Sequence, residues 1–331
     1  MKADNDIMEG LRISLLYCAD GPYFQHLGAS VASVLQANPE HHFQVYVCSE
    51  KRDAKAEEKL SAIASRFGNA SITFSEFSLT QRYGDLRVDR YLTLAAYLRL
   101  FLTEFLDPQV ERALYLDCDI IVCRDIGELW RTELGDTYMA AAPEPYFAQH
   151  PGFDRQDTYF SSGVLLIDVA RWRTDNVLRA FLQFAQEHAA VLTCHDQDVL
   201  NNVFRNKIRV LDYRWNFQSS FADMPAEALK MSADTFKDVR QRPPIVHFTG
   251  KYKPWFYKYQ PHYKRLYYEA LALTPWKGYR PPDRTARAVL VKLCTLKYLK
   301  ERLNWYAPGL ANSLRKLMGK RSRLDIDPTI A

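Results

Sequence analysis

The sequence lacks the long apolar segments of a secreted or membrane-spanning protein. No window offers about 18 uninterrupted apolar residues, the length that a transmembrane helix needs. Residues 1–10 are polar and mixed in charge, without the apolar core of a signal peptide. From the sequence alone we therefore expect a cytoplasmic protein that is neither secreted nor inserted in a membrane.

Cysteines in metal-binding or disulfide-like spacing are also absent. The chain has six cysteines, and none of them forms a CxxC pair or a zinc-like cluster. Scattered cysteines of this kind are typical of reduced thiols that pack as small apolar side chains. We expect neither a disulfide framework nor a structural zinc at Cys18, Cys48, Cys118, Cys123, Cys194 and Cys294.

Two common nucleotide-binding motifs are missing. No Gly-x-Gly-x-x-Gly follows the first predicted strand, and the sequence contains no Walker P-loop. Dinucleotide-binding and NTPase functions therefore lose their main support. A nucleotide, if the protein binds one, must be held in another way.

What the sequence does contain is an alternation of strands and helices. Residues 11–17, 43–48 and 71–77 have strand character, and helical patterns at 24–37 and 53–67 separate them, the second with Asp53 as its N-cap. A chain of 331 residues with 47% hydrophobic residues is long enough for one large domain. We predict an α/β domain over residues 1–280 with a mostly parallel, doubly wound sheet.

Asp117 and Asp119 stand where an apolar strand ends. Residues 113–116 form a short apolar run that leads into Asp117-Cys118-Asp119, and residues 120–122 continue it. In open α/β sheets, ligands collect at the carboxyl ends of strands. Two carboxylates there indicate Mg²⁺ or Mn²⁺ holding a diphosphate. A turn or helix cap is the alternative, since Asp-x-Asp is a common tripeptide.

Two further candidate groups flank this strand. Arg99 belongs to an apolar helical pattern at 91–106, where its charge could neutralise phosphate or carboxylates. The alternative for Arg99 is a surface residue whose stem lies along apolar side chains. Glu144, in Pro143-Glu144-Pro145, is an acid presented by a rigid loop.

Polar residues also cluster before two later elements. A helical pattern runs from 171 to about 188, and Cys194-His195-Asp196-Gln197-Asp198 precedes the amphipathic run 199–204. One of these two acids is available as a helix N-cap, which leaves a histidine, a glutamine and the second acid unexplained.

A later strand breaks into a loop with three candidate groups, His247, Gly250 and Lys253. A neutral imidazole can complete a carboxylate metal site. Glycine lets the backbone approach a phosphate, and lysine can neutralise one. Each signal alone is weak, because a lone histidine is usually structural.

The final segment, residues 281–331, changes character. From about Arg284 onward, basic residues alternate with Leu, Trp and Tyr at helical spacings, and acids are almost absent until Asp325. This pattern favours an amphipathic helical tail on an anionic membrane surface. A helix packed on the domain with a solvated basic face is the alternative. We do not expect a nucleic acid partner, because no recognised motif is present.

Taken together, these motifs resemble the family 8 glycosyltransferases, in particular bacterial lipopolysaccharide α-galactosyl- and α-glucosyltransferases, with glycogenin as a eukaryotic relative. The resemblance covers roughly residues 11 to 260. It implies a GT-A-like fold in which Asp117, Asp119 and His247 bind Mn²⁺, with Mg²⁺ as a possible substitute. The most specific match is His247-Phe248-Thr249-Gly250-Lys251-Tyr252-Lys253-Pro254-Trp255.

The same resemblance implies the donor contacts. Asp20 and Tyr23 would hold the uracil end of a UDP-sugar, and Gly250 and Lys253 would bind its diphosphate. The remaining donor-site residues would be Arg99, Asp117 and Cys118. The sugar would be lined by Glu144, Asp196 and Gln197.

The implied reaction is a retaining transfer of an α-hexose, galactose or glucose, from UDP to a glycan acceptor, lipopolysaccharide core or a surface glycolipid. Gln197 is a poor nucleophile, which favours same-face attack, while a covalent intermediate on Glu144 or Asp196 stays open. The family often has Asn-Ala-Gly where this chain has Ser161-Ser162-Gly163, and Asp where it has Glu144. Both departures leave the donor sugar open.

Two other functions stay open at this point. One is a glycogenin-like initiator that glucosylates itself, and the other is a non-catalytic module that binds a nucleotide-sugar or lipid. For the enzyme we expect a peripheral location on the cytoplasmic face of the inner membrane, reached through the basic tail. The sequence does not indicate an oligomeric state.

Overall fold

A seven-stranded sheet forms the centre of the molecule. The computed structural model describes residues 10–83, 97–145, 158–188, 192, 194 and 196–294. The strand order of this sheet is β3-β2-β1-β4-β7-β6-β8. Its strands are β1 Arg12–Cys18, β2 His42–Ser49, β3 Ala70–Glu76, β4 Arg112–Leu116, β6 Met139–Pro143, β7 Phe160–Asp168 and β8 Ile208–Val210.

Helices and short 3₁₀ turns connect the strands. The α-helices are α1 Phe24–Ala37, α2 Ala54–Phe67, α3 Leu79–Tyr83, α4 Leu102–Phe105, α5 Gly127–Trp130, α6 Val169–Thr174, α7 Val177–His188, α8 Asp196–Val203, α9 Ala233–Gln241, α10 Lys264–Ala272 and α11 Ala286–Cys294. The 3₁₀ turns are Gly21–Tyr23, Arg99–Phe101, Tyr213–Asn216, Ser219–Asp223 and Ala226–Leu229.

The sheet is mostly parallel, as the alternation of strands and helices predicts. β1 pairs in parallel with β2 and β4, β2 with β3, and β6 with β8. Only β7 runs antiparallel to both of its neighbours. Strands buried on both faces contain continuous apolar runs, as β4 does at residues 113–116 and β7 at residues 164–167.

Both faces of the sheet are covered, which confirms the doubly wound arrangement. On one face α1 and α2 pack their apolar side chains, such as Leu27 and Leu60, against β1 and β2. On the other face Trp172, Phe181 and Phe204, from α6, α7 and the end of α8, pack against β4, β6 and β7. The polar carboxyl ends of β1 and β4 lie between these two cores.

The predicted start of α2 is confirmed. The side chain of Asp53 accepts hydrogen bonds from the backbone N–H groups of Lys55 and Ala56. The helix ends at Gly68, whose φ of 74° is the left-handed conformation that glycine adopts without strain.

The predicted helix at 171–188 is wrong as one element. The structure has α6 and α7, separated at Asn176, whose φ is 47°. A left-handed residue cannot continue a right-handed helix, so the chain turns there. Asp168 caps α6 by accepting from the N–H of Arg171 at 2.8 Å.

A second, three-stranded sheet carries His247. Its strands are β5 (Ile120–Val122), β9 (Phe217–Gln218) and β10 (Ile245–His247), and β10 lies in the middle. His247 pairs with Ile120 on one side and with Gln218 on the other. This pairing brings His247 next to Asp119, which directly precedes β5.

Several predictions fall on residues outside this description. Residues 91–96, the first part of the predicted helix at 91–106, lie outside it, as do His195 and residues 295–331 of the basic tail. Of the tail, the described part is residues 281–294, which includes α11. Within the described ranges, no helix combines the length and apolar character that crossing a membrane requires.

Candidate active site

Asp117, Asp119 and His247 converge at the end of β4. One ligand atom from each residue lies within 4.8 Å of the others. The Nε2 atom of His247 is 3.3 Å from Oδ1 of Asp119 and 3.7 Å from Oδ2 of Asp117. The structure therefore brings together the three residues for which metal binding is predicted.

The protonation of His247 suits a metal ligand. Its Nδ1 atom lies 2.7 Å from Oδ1 of Asn216. An amide oxygen can only accept, so Nδ1 carries a proton, and Nε2 is the nitrogen that faces the two carboxylates. Carboxylate oxygens with one imidazole nitrogen are a donor set that Mn²⁺ or Mg²⁺ accepts. The residues present therefore fit a divalent cation.

Gly163 makes room for this cluster. A Cβ atom at this position would lie 2.2 Å from Cε1 of His247 and 3.0 Å from Oδ2 of Asp117. Real atoms do not approach so closely, so only glycine permits the observed packing. The sequence shows a glycine in Ser161-Ser162-Gly163, but nothing near it in the sequence indicates that Gly163 packs against His247.

Lys253 supplies a positive charge beside the cluster. Its Nζ atom contacts Oδ2 of Asp119 and donates to the carbonyl oxygen of Phe248 at 2.9 Å. Burial would raise the pKa of Asp119, but Lys253 and His247 outweigh it and hold that pKa well below its usual range. The carboxyl group of Asp119 is therefore anionic. Gly250, with φ of 68°, forms the left-handed turn before Lys253.

Arg99 is buried and neutralises carboxylates, which excludes the surface alternative. Its Nη2 donates to Oδ1 of Asp117 at 2.8 Å, and its Nε lies 3.2 Å from Oδ2 of Asp196. Burial lowers the pKa of Arg99, but the two carboxylates outweigh it and keep the guanidinium charged. Tyr115 contributes a hydrogen bond to the same oxygen of Asp117 at 2.7 Å.

Asp196 and Gln197 reach the same place from the first turn of α8. The side chain of Ser162 lies 3.3 Å from Oδ2 of Asp196 and 3.4 Å from Oε1 of Gln197. Burial raises the pKa of Asp196 to about 6, against the opposing effect of Arg99. The prediction that one of these acids is the helix N-cap is wrong, because both lie inside α8, and Asp198 accepts from the N–H of Cys194, before the helix, at 2.7 Å.

Glu144 enters the site through a residue to which the sequence gave no role, Gln218. The register of β6 against β7 shifts between Ala141 and Pro143, directly before Glu144. The Nε2 atom of Gln218 donates to Oε2 of Glu144, and its Oε1 accepts from the hydroxyl of Thr249 at 3.0 Å. Gln218 pairs with His247 across β9 and β10, so this hydrogen bond links Glu144 to the neighbour of His247.

The predicted uracil contacts lie at the end of β1. Asp20 accepts from the N–H of Glu50 at 2.9 Å, and burial raises its pKa to about 6. Tyr23 is partly exposed and meets the ring of Trp255 edge-on at 6.0 Å. Cys118 is buried, and its thiol donates to the carbonyl oxygen of Cys18 at 3.3 Å. This hydrogen bond links the ends of β1 and β4.

Comparison with known proteins gives relatives of similar length. General stress protein A of Bacillus subtilis is 29% identical over 272 residues, which are 79% of this chain and 94% of that protein. Lipopolysaccharide 1,3-galactosyltransferase of Salmonella typhimurium is 24% identical over 80% of this chain and 79% of the Salmonella protein. Lipopolysaccharide 1,2-glucosyltransferase of Escherichia coli is 24% identical over 82% of this chain and 81% of the E. coli protein.

Solved structures share the fold. The galactosyltransferase LgtC, crystallised with donor and acceptor sugar analogues, superposes with a TM-score of 0.68 at 22% identity, over 80% of this chain and 99% of LgtC. The bifunctional glycosyltransferase WbbM gives 0.63 at 21% identity, over 83% of this chain and 52% of WbbM. This confirms the expected GT-A-like architecture.

The sequence model of glycosyl transferase family 8 matches residues 14–259. This range contains the metal-binding cluster and every other candidate site residue described above. It spans well over half of the chain. The chain therefore belongs to glycosyl transferase family 8.

Proposed function

We propose that the protein is a metal-dependent, retaining hexosyltransferase. The donor is UDP-galactose or UDP-glucose, and the acceptor is a glycan, the lipopolysaccharide core or a related surface glycolipid. The observation that carries this proposal is the cluster of Asp117, Asp119 and His247, in which Nε2 of His247 faces both carboxylates. Relatives named as lipopolysaccharide galactosyl- and glucosyltransferases support the choice of sugar and acceptor.

The diphosphate of the donor binds between this cluster and Lys253. Asp117, Asp119 and His247 would hold Mn²⁺ or Mg²⁺, which supplies positive charge to the diphosphate. Lys253 adds a second positive charge from the chain itself, next to Asp119. Preorganised charge at a leaving group is usually the largest electrostatic contribution in group transfer. No general acid is then needed for departure of UDP.

The transfer exchanges one bond to the anomeric carbon for another. The bond from this carbon to the β-phosphate oxygen breaks, and its electron pair stays on that oxygen. The acceptor hydroxyl oxygen bonds to the same face of the carbon, and its proton passes to the departing phosphate oxygen. The α configuration of the donor is therefore kept. Gln197, a neutral amide, suits this course better than a covalent intermediate.

The nucleotide and the sugar have separate binding groups. Above a pH of about 6 the carboxylate of Asp20 is ionised and accepts from the imide N–H of uracil, while Tyr23 borders the base. Arg99 holds Asp117 and Asp196 in place, so that Asp196 and Glu144 face the sugar hydroxyls. These two acids decide between galactose and glucose.

We also propose that residues 281–331 bind an anionic membrane surface where a glycolipid acceptor resides. The basic and aromatic pattern of this segment supports it. The start of the segment is fixed near the donor site, because the carboxylate of Asp283 accepts from the N–H groups of Tyr257 at 2.7 Å and Lys258 at 2.9 Å. The catalytic domain would then lie against the cytoplasmic face of the inner membrane.

The test is incubation with UDP-galactose or UDP-glucose, Mn²⁺ and a soluble glycan acceptor, with NMR of the product. An α-linked product supports the proposal, and a β-linkage contradicts retention. A rise in the intact mass of the protein with UDP-glucose alone would indicate a self-glucosylating initiator. Donor binding without UDP release under all of these conditions would indicate a non-catalytic module.

A further inference from the structure

The amide group of Gln197 is held at its oxygen. The backbone N–H of Ser162 lies 2.9 Å from Oε1 of Gln197, and the hydroxyl of Ser162 lies 3.4 Å from the same atom. A backbone N–H can only donate, so the atom that faces it must be the amide oxygen. The orientation of the amide is therefore set by chemistry at this end.

The amide is also held at its nitrogen. The hydroxyl of Tyr159 donates its single proton to Oδ1 of Asp198. Burial and the neighbouring Asp198 raise the pKa of Tyr159 far above its ordinary value, so this proton stays on the hydroxyl. The hydroxyl oxygen can then only accept from Gln197, whose side chain it contacts. Both ends of the amide agree on one orientation.

Both partners of Gln197 are fixed by the packing of β7 on α8. The N–H and carbonyl oxygen of Phe160 bond to the side chain of Asn201, at 2.8 and 2.9 Å. Tyr159 precedes Phe160 and is 4% exposed, and Asp198 is 1% exposed. Tyr159 and Asp198 cannot move without breaking buried hydrogen bonds, which costs free energy of folding.

We propose that Tyr159 and Ser162 are positioning residues of the transfer reaction, which clamp the amide of Gln197 in a single orientation as a fixed dipole. This inference rests on the proposed function. A neutral amide is a weak nucleophile, so Gln197 acts through its fixed orientation. Misplacement of such a group by about 1 Å can reduce a rate about 100-fold.

Positioning of Gln197 by Tyr159 can be distinguished from a purely structural role of Tyr159 by the effects of substitutions on kcat. Loss of a structural contact lowers stability and acts on activity whether or not Gln197 is present. Loss of a clamp acts only through the group that it holds. The effects of Tyr159→Phe and Gln197→Ala on kcat should therefore fail to add.

The experiment is a double-mutant cycle on the full-length protein. Tyr159→Phe should lower kcat about 10-fold or more, while the affinity for UDP stays within about twofold. In the Gln197→Ala background, Tyr159→Phe should lower kcat no further. Additive effects of Tyr159→Phe and Gln197→Ala would overturn the proposal.

Tyr138→Phe is the matched control. The hydroxyl of Tyr138 donates to Oδ2 of Asp175 at 2.7 Å, so this variant also breaks one tyrosine–aspartate hydrogen bond. Tyr138 precedes β6, at the opposite end of that strand from Glu144. Its removal should leave kcat unchanged. A similar loss of kcat in Tyr138→Phe and Tyr159→Phe would count against the clamp.

A second readout does not depend on turnover. The side-chain NH₂ signals of Gln197, identified by their loss in Gln197→Ala, should shift in the ¹H–¹⁵N spectrum of Tyr159→Phe and stay in place in Tyr138→Phe. An unchanged NH₂ pair in Tyr159→Phe overturns the clamp. Absence of UDP release from the unmodified protein with every donor would instead overturn the proposed function, and the NMR comparison still decides on the clamp.

Discussion

The Nδ1 atom of His247 lies 2.7 Å from Oδ1 of Asn216, although 30 residues separate the two in the chain. This hydrogen bond fixes the tautomer that leaves Nε2 free to bind a metal. Asn216 comes from the 3₁₀ turn before β9, and His247 ends β10, the neighbouring strand. The small sheet therefore places both the ligand and the group that orients it.

Asn216→Leu should weaken the binding of Mn²⁺ about 10- to 100-fold, because a histidine ligand that loses its partner is neither oriented nor held in one tautomer. Titration with Mn²⁺ in a calorimeter measures this. Asn69→Leu is the control, since Asn69 is equally a buried asparagine, bonded to the carbonyl oxygens of Asn38 and His41. Unchanged Mn²⁺ affinity in Asn216→Leu would contradict the assigned tautomer.

Gly163→Ala should displace His247 and reduce activity about 100-fold, because the new methyl group would lie 2.2 Å from Cε1 of the imidazole. Gly278→Ala is the control, since a Cβ atom at Gly278 has no heavy atom within 4 Å. Mn²⁺ affinity and kcat are measured for both variants. Wild-type values in Gly163→Ala would show that the cluster tolerates a shift that the packing excludes.

The parts of the fold and of the site that can be predicted from the sequence are those that depend on residues close together in the chain. The strand before Asp117 and the cap at Asp53 are local, and the sequence alone predicts both. His247 was assigned only through the family motif, since nothing local distinguishes it from a structural histidine. Asn176 escaped prediction because a left-handed asparagine inside an apolar helical pattern leaves no glycine or proline signal.

The contacts that complete the site were not predictable. Asn216, Gln218 and Gly163 act on His247 or Glu144 through contacts between segments far apart in the chain. Tyr159 meets Gln197 only because β7 packs on α8. Such contacts follow from sheet register, which a single sequence does not specify residue by residue.

Asp196 should make stability fall as pH rises. Its pKa is raised by burial from 3.8 in the unfolded chain to about 6 in the folded protein. The folded state therefore binds the proton more tightly, and this stabilisation, present below pH 4, is lost as pH rises through 6. This rise in the pKa corresponds to roughly 3 kcal/mol.

Asp196→Asn removes this titration. The unfolding free energy of the variant, relative to wild type, should therefore increase between pH 4 and pH 7 by roughly 3 kcal/mol. Urea denaturation at several pH values gives the difference, in which the titration of the other groups cancels. A difference that stays constant or decreases with pH would contradict a raised pKa at Asp196.

Replacing Lys297, Lys300 and Arg302 with glutamine in the full-length protein should weaken its binding to anionic vesicles about 100-fold, because each charge near such a surface contributes about 1 kcal/mol. Added salt should weaken binding of the wild type as well. Sedimentation with phosphatidylglycerol and with phosphatidylcholine vesicles measures both effects.

The control for the tail variant is a variant with the same loss of three positive charges in the catalytic domain. Lys55, Lys230 and Lys237 are exposed residues of the catalytic domain, and their replacement with glutamine should leave vesicle binding unchanged. Equal binding of the wild type to both kinds of vesicle, or to neither, would remove the membrane proposal. The proposed reaction would be unaffected, because none of its residues lies in the tail.

Release of UDP from UDP-galactose and UDP-glucose, measured with a soluble acceptor in Mn²⁺ and in EDTA, tests the central claim most directly. Activity should be lost in EDTA and return when Mn²⁺ is added back. Asp117→Asn, Asp119→Asn and His247→Ala should each lose activity while keeping their circular dichroism spectrum, because the charge held by the cluster contributes several kcal/mol to group transfer. Full activity in EDTA, or in any of these three variants, would contradict the assignment of this cluster as the metal site of a glycosyltransferase.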